Sequence, residues 1–248
     1  ITLASGTDYD LSGTTTAKDA GDYTVTATAK SGGNYTGSCS ASWSITKATF
    51  TVSGTDYSGD YDGNTHGTAA VPSVVAGTTV YYSVDGGAES TDVPTIKDVG
   101  SKTVSVRAVN PNYTDATCTY TLTVTKLAVT VAVTGHNVTK TYDSSEYTAS
   151  GYDFTPNSTL YLESYTTFSG DATAKRTVVG TTNMGLAAGQ FTNTNTNFDV
   201  TYNVTDGYVT INKATFTVTG TDYNKAYDGD AHGDAAVPSV TAGTTVYY

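Results

Sequence analysis

With 248 residues, a formal net charge of −11 and only 12 scattered Lys and Arg, the chain lacks the clustered basic residues that neutralising nucleic-acid phosphates requires. Threonine makes up about a fifth of it, with 25 Gly and 20 Tyr but one Met and one Trp, a mixture that favours short strands and tight turns over helices. No stretch reaches ~18 consecutive apolar residues, so no membrane span is expected, and two cysteines are too few for a disulfide framework.

The elements follow in chain order. The opening segment holds the run KDAGDYTVTATA at Lys18 to Ala29 and closes on the strand SASWSITK, ending at Lys47. Two more strands end on lysine in the same way, TYTLTVTK at Lys126 and DGYVTINK at Lys213. In each the apolar residues fall on one face by the two-residue period: Trp43 and Ile45, Leu122 and Val124, Val209 and Ile211. After each lysine the chain restarts with ATFTVSG, LAVTVAVTG or ATFTVTG, which places Phe50, Val129 and Phe216 at equivalent core positions. Boundaries at these lysines give a partial module over 1–47, complete modules over 48–126 and 127–213, and a further partial module over 214–248.

Within 48–126 the first strand is ATFTVSG, and YDGNTHG is a turn region whose Gly63 and Gly67 can take positive φ. The stretch AAVPSVVAG carries Pro72 and reads as an edge strand or bulge. TTVYYSVDGG is a strong strand, with Asp85-Gly86 as the best hairpin signal. KTVSVRAVN and TCTYTLTVTK complete the module across a short NPNY connection. Short strands with turn signals at intervals of ~8–12 residues fit a small antiparallel sandwich of the immunoglobulin-like kind. The module 127–213 keeps the frame but adds NMGLAAGQFTNTNTNFDV, whose Asn/Thr alternation could form a polar strand or a loop, the loop being preferred.

Repetition is also long-range: Lys213 to Tyr248 repeats Lys47 to Tyr82 with eight differences in 36 residues. The Tyr-Asp-Gly turns at Tyr61 and Tyr227, the run at Lys18 to Ala29, its partner KDVGSKTVSVRA at Lys97 to Ala108, the NYT triplets at Asn34 and Asn112 and the closing ITKA resemble the MBG and YDG repeat domains. The resemblance covers essentially the whole chain. It implies tandem immunoglobulin-like β-sandwich modules of large bacterial surface proteins and adhesins, at the cell surface or secreted, with no shared catalytic residues. The third module departs from the pattern by placing Ser144 where the turn glycine stands, which leaves the shape of that turn open.

Candidate chemistry is sparse. His66 and His232 follow the two YDG turns and His136 stands elsewhere, so each module offers at most one imidazole; the turn histidines are expected to bond backbone. No GxSxG elbow, Walker loop or HExxH occurs, and no enzyme, catalytic residue, cofactor site or metal site is assigned. The run Asp60 to Asn64 has oxygen ligands at its first, third and fifth positions, but Thr65 and Val71 stand where an EF-hand loop needs Gly and Glu. The later copy has Ala226 in place of Asp60, so solvated turn acids are the better reading, with weak calcium binding left open. Lys47, Lys126 and Lys213 could join an Asn side chain covalently if buried, or simply end edge strands in solvent. The sequons at Asn34, Asn112, Asn137, Asn157 and Asn203 are expected by accident in so Asn- and Thr-rich a chain. Tyr23, Tyr81 and Tyr120 are expected to pack across strands.

Two functions remain in view: a structural segment of a surface fibre or adhesin stalk, and an adhesive module contacting glycan or protein. The expected partners are further copies of the same repeat, head to tail. Cys39 and Cys118, each eight residues before a junction lysine, are expected not to bond to each other. Aligning Lys18-Asp19 with Lys97-Asp98 makes Ile1 equivalent to Val80, as Val246 is, so both ends are expected to lie inside one strand of a longer periodic fibre. Any secretion signal would then lie outside these residues.

Overall fold

The computed structural model describes residues 1–247, leaving Tyr248, the last residue of the final expected fragment, outside the described residues. The described residues are all β, with short 3-10 turns at Glu163–Tyr165 and Ala188–Gln190 and no α-helix. They form eight small sheets rather than one large one. None of the described helices is long and apolar enough to cross a membrane. Two compact units result, one of residues 1–127 with 196–199, the other of 128–195 with 200 onward.

In the first unit β1 (Tyr9–Gly13), β2 (Gly21–Ala29) and β3 (Ser38–Ile45) make an antiparallel sheet in that order. Next come β4 (Val52–Ser53), β5 (Tyr57–Asp60), β6 (Val71–Pro72), β7 (Thr79–Val84), β8 (Gly100–Val109) and β9 (Ala116–Thr125). The last two carry strict alternation: Val104, Val106 and Ala108 point inward from β8, Tyr120, Leu122 and Val124 from β9, all at most 3 % exposed. Val52, Ala70, Tyr82 and Ile96 close over them. The β4–β6 pair is held by Ser73, whose hydroxyl accepts the Thr51 N–H at 3.0 Å. The same seal recurs where Ser239 accepts Thr217 N–H at 3.0 Å.

The pairing is not wholly antiparallel, which corrects the expectation for the sheets. In the order β5-β9-β8-β7, β5 runs parallel to β9, with Tyr57 opposite Leu122. In the second unit Asn137–Thr141 likewise runs parallel to Tyr208–Asn212. Alternation tells which face is apolar but not the direction of a neighbour, so the crossing of β5 to the far edge left no sequence signal. The Asp85-Gly86 turn does form, with φ of 50° and 75°, yet the full-length partner of β7 is β8, after a fifteen-residue connection. Only Ser90 comes back to pair with Tyr82 at the turn itself.

The register corrects the alignment of the opening segment. Tyr23 opposes Trp43 as Lys102 opposes Leu122, so β2 and β3 match β8 and β9 at a shift of 79 on both strands. Tyr9 opposes Ala29, however, as Val80 opposes Ala108. Tyr9, not Ile1, therefore stands in the place of Val80, because the connection before β2 is seven residues where that before β8 is fifteen. Gly6, Gly77 and Gly243, at φ 81°, 73° and 72°, mark one recurring turn in this corrected frame.

The second unit contains β10 (Leu127–Gly135), β11 (Asn137–Thr141), β12 (Tyr147–Ser150), β13 (Tyr152–Pro156), β14 (Thr166–Phe168), β15 (Thr173–Arg176), β16 (Gly180–Asn183), β17 (Phe191–Asn193), β18 (Phe198–Thr205), β19 (Tyr208–Asn212), β20 (Val218–Thr219) and β21 (Val237–Pro238). Leu127 at the start of β10, and Phe198 and Asp199 at the start of β18, belong to the first unit. Val129, Val131 and Val133 of β10 are at most 3 % exposed, as are Val209 and Ile211 of β19. The segment expected to be loop holds β17, paired with β14 by Phe191 opposite Phe168, whose rings stack at 4.8 Å. Three residues are too few for alternation to announce a strand, and the buried Phe191 makes this one. Phe216 is 57 % exposed, whereas Val129 is 3 % exposed and Phe50 packs against the core of the first unit.

Candidate functional site: recurring turns and asparagine clasps

The Tyr-Asp turns are built around one carboxylate each. Asp62 accepts the Asn64 N–H at 2.9 Å, the Asn64 side-chain amide at 3.1 Å and His66 Nε2 at 2.9 Å. Gly63 between them takes φ 77°, the left-handed conformation that brings the chain back over the carboxylate. The His66 ring then stacks on Tyr57 at 4.1 Å. These bonds, the one from His66 foremost, hold Asp62 at about 2, below the usual carboxylate range. In the later copy Asp228 takes His232 Nε2 at 2.6 Å and Lys225 at 2.5 Å, and His232 stacks on Tyr223. The rings of the turn histidines thus bond a side-chain carboxylate four residues earlier, while the main chain of His66 bonds the backbone of Ile96 in both directions at 2.8 Å.

The third module keeps the device with different residues. Asp143 accepts the Ser145 N–H at 2.9 Å and the Tyr147 hydroxyl at 2.6 Å, so a phenol replaces the imidazole at the same spacing. Ser144 takes φ 69°, the conformation of the glycine it stands for. The turn keeps its shape at the cost of a side chain in the left-handed region.

A second recurring device was not singled out from sequence. Between β8 and β9, Asn112 accepts the Ala20 N–H on its Oδ1 at 2.7 Å and donates from Nδ2 to Asp19 at 2.9 Å. Asn197 does the same to the next Lys-Asp pair, accepting Val99 N–H at 2.9 Å and donating to Asp98 at 2.9 Å. The carbonyls of these two asparagines accept the N–H of Ala48 at 3.0 Å and of Leu127 at 3.1 Å, the residues just after the junction lysines. An aromatic follows each: Tyr113 packs edge-on against Phe50, and Phe198 against Tyr61. Each clasp therefore ties a Lys-Asp turn, a junction residue and an Asn-aromatic loop to one amide. All lie inside the first unit.

The remaining candidates lie apart. Asp60 accepts from the Thr125 hydroxyl at 2.5 Å while Asp62 serves its own turn, so the calcium-like run uses its two acids on different partners. Among the described residues no group of three or more His, Cys, Asp or Glu is placed so that it could hold a metal ion. His136 bonds Asp153 at 3.2 Å and the Ser150 carbonyl at 2.8 Å, and the Asp153 contact in particular raises its pKa. Lys47, Lys126 and Lys213 are all exposed, which removes the burial that covalent bonding to an Asn needs. Tyr23 stacks on Trp43 at 4.6 Å, Arg107 lies over Tyr81, and Tyr120 is buried. Cys39 and Cys118 are both free thiols.

Turn and clasp recur along an all-β chain, and the clasps bond the residues just after Lys47 and Lys126. In comparison with known proteins the chain matches no protein-family model, and no curated protein is similar enough to count as a relative.

Proposed function

We propose that the chain is a structural segment of an extracellular bacterial surface fibre or adhesin stalk, built of tandem immunoglobulin-like β-sandwich modules of the kind that the MBG and YDG repeats resemble. The observation that carries this reading is the duplicated clasp. Two asparagines 85 positions apart make the same three hydrogen bonds to corresponding partners, which is what a chain needs if every junction between repeats must take the same geometry. Particular side chains support it: Asp62 with His66 and Asp228 with His232 are engaged in turns, and Tyr23 and Tyr120 in packing within the sheets. The reading assigns no catalysis, cofactor or metal. Its partners are further copies of the repeat.

An array of glycans and matrix proteins probed with the full chain tests this against an adhesive role. The structural reading predicts no saturable binding at micromolar concentrations. Selective, saturable capture of one glycan or protein would replace it with an adhesive module.

A further inference from the structure

On the outer face of the sheet β11-β19-β16, one cross-strand row differs in kind from its counterparts in the earlier repeats. Tyr208 stands there between Asn137 on β11 and Asn183 on β16. In the first unit the same row is Asp56, Thr121 and Thr103, and in the opening sheet it holds Thr24 opposite Ser42. The equivalence rests on two features: Val209 and Ile211 point inward after Tyr208 as Leu122 and Val124 do after Thr121, and Asn137 accepts the Tyr208 N–H at 3.0 Å as Asp56 accepts that of Thr121 at 2.6 Å. In the third module an amide thus replaces a carboxylate, and a phenol and a second amide replace two hydroxyls.

The fold leaves these groups available. Tyr208 is 36 % exposed, and among the described residues its hydroxyl has no hydrogen-bond partner and its ring no aromatic neighbour. Asn183 is exposed, and its amide is unbonded among the same residues. Asn137 uses only Oδ1, which fixes its amide plane and leaves Nδ2 to donate. Exposure here belongs to the sheet face: Thr121 and Thr103, in the same row of a module with chain on both sides, are exposed as well. The other outward positions of the three strands are Thr139, Thr141, Thr181, Thr210 and Asn212, none of them charged. Asp206, just before the row, is occupied by the N–H groups of Gly185 and Leu186 at 3.0 and 2.9 Å.

The geometry points to a binding platform for a neutral polysaccharide, with Tyr208 as the stacking surface and Asn137 and Asn183 as hydrogen-bonding edges. A pyranose ring is apolar on its C–H face and polar around its rim, and the row has the same division, an aromatic face flanked by amides. Neighbouring strands lie ~4.8 Å apart, so the two amides stand about 10 Å from each other across Tyr208, with room for one sugar ring between them. The next row, ~6.7 Å along the strands, offers the Thr139, Thr181 and Thr210 hydroxyls to an adjoining sugar. An acidic polysaccharide is disfavoured, because no cation lies on the face and the chain carries a net charge of −11. A protein partner would need clustered anchors over ~800 Å², where this face has one ring among hydroxyls and amides. A single platform of this kind binds at about 1 mM, so it stays silent at micromolar concentrations and is compatible with a stalk segment.

The test is an NMR titration of the full 248-residue chain with cellohexaose, xylohexaose and mannohexaose. At least one of them should shift the Tyr208 ring and the Asn137 and Asn183 side-chain amide signals together, with a midpoint of about 1 mM. Tyr208→Thr installs the residue of the first unit's row at an exposed position and should weaken that binding at least tenfold, and Asn183→Thr roughly threefold, while Tyr208→Trp should retain it. Silence of all three sugars up to about 20 mM overturns the platform. So does binding that Tyr208→Thr leaves unchanged, or stronger binding of an acidic oligogalacturonate. Each of these outcomes leaves the stalk reading to its own test at micromolar concentrations.

Discussion

Replacing Asn197 with Ala removes a buried amide, 8 % exposed, that takes the Val99 N–H and donates to Asp98. A neutral hydrogen bond contributes about 1 kcal/mol net and one to a charged group ~1.5–3, but Asp98 is exposed and water competes for its carboxylate, so the lower end applies. Stranding the half-buried Val99 N–H adds to the loss, giving about 2–3 kcal/mol overall. Because removal of an amide also leaves a small void, the decisive quantity is the coupling between Asp98→Ala and Asn197→Ala in a double-mutant cycle, read from urea unfolding of the first unit's transition. The geometry predicts a coupling of about 1 kcal/mol. Asn197→Asp adds a control with a pH signature: two carboxylates then face each other, and the penalty should relax as pH falls below about 4 and one of them protonates. Additive single effects, or an Asn197→Asp penalty that ignores pH, would refute the clasp as an energetic contact.

Ser144→Gly should stabilise the third module by roughly 0.5–1 kcal/mol, since glycine removes the strain of a side chain at φ 69°; thermal unfolding checks it, and destabilisation would contradict the strain argument. Leu122→Ala, at a fully buried position on β9, should cost about 2–5 kcal/mol by chemical denaturation. Asp62 should titrate with a midpoint of about 2 by carboxyl NMR, and because its folded value is depressed, the turn's contribution is present above the unfolded value near 4 and fades as pH falls through 2. His136 runs the other way: its value is raised by Asp153, so its contribution is full below ~6.5 and is lost as pH rises through the folded midpoint, and Asp153→Asn should lower that midpoint in an imidazole NMR titration.

The strands that alternate cleanly were legible in the chain. Leu122 and Val124, and Val209 and Ile211, point inward as their spacing required. Trp43 and Ile45 share a face too, but they stay only half buried, since burial depends on what covers a sheet and not on its own pattern. The Tyr-Asp turns were visible as turns, while the bond from Asp62 to His66 was concealed because a four-residue spacing outside a helix carries no general expectation. Substituting Tyr147 for the histidine hid the relation further. The clasps had a sequence trace in the Lys-Asp pairs at 18 and 97 and the Asn-aromatic pairs at 112 and 197, yet each pair reads as a loop by itself. Only register shows that an asparagine 93 residues away reaches Asp19. The opening segment was misaligned for a related reason: a gap-free match through Lys18-Asp19 could not show that the connection before it is eight residues shorter.

Single-molecule pulling on the full chain tests the central claim most directly, because a structural array must resist force module by module. Modules of 79 and 87 residues, released at ~3.3–3.6 Å per residue, should lengthen the chain in separate steps of roughly 26–31 nm. Asn112→Ala and Asn197→Ala should lower the forces of those steps without changing their lengths. Extension in one step across all residues, or without resistance, would contradict an array of independently folded repeats.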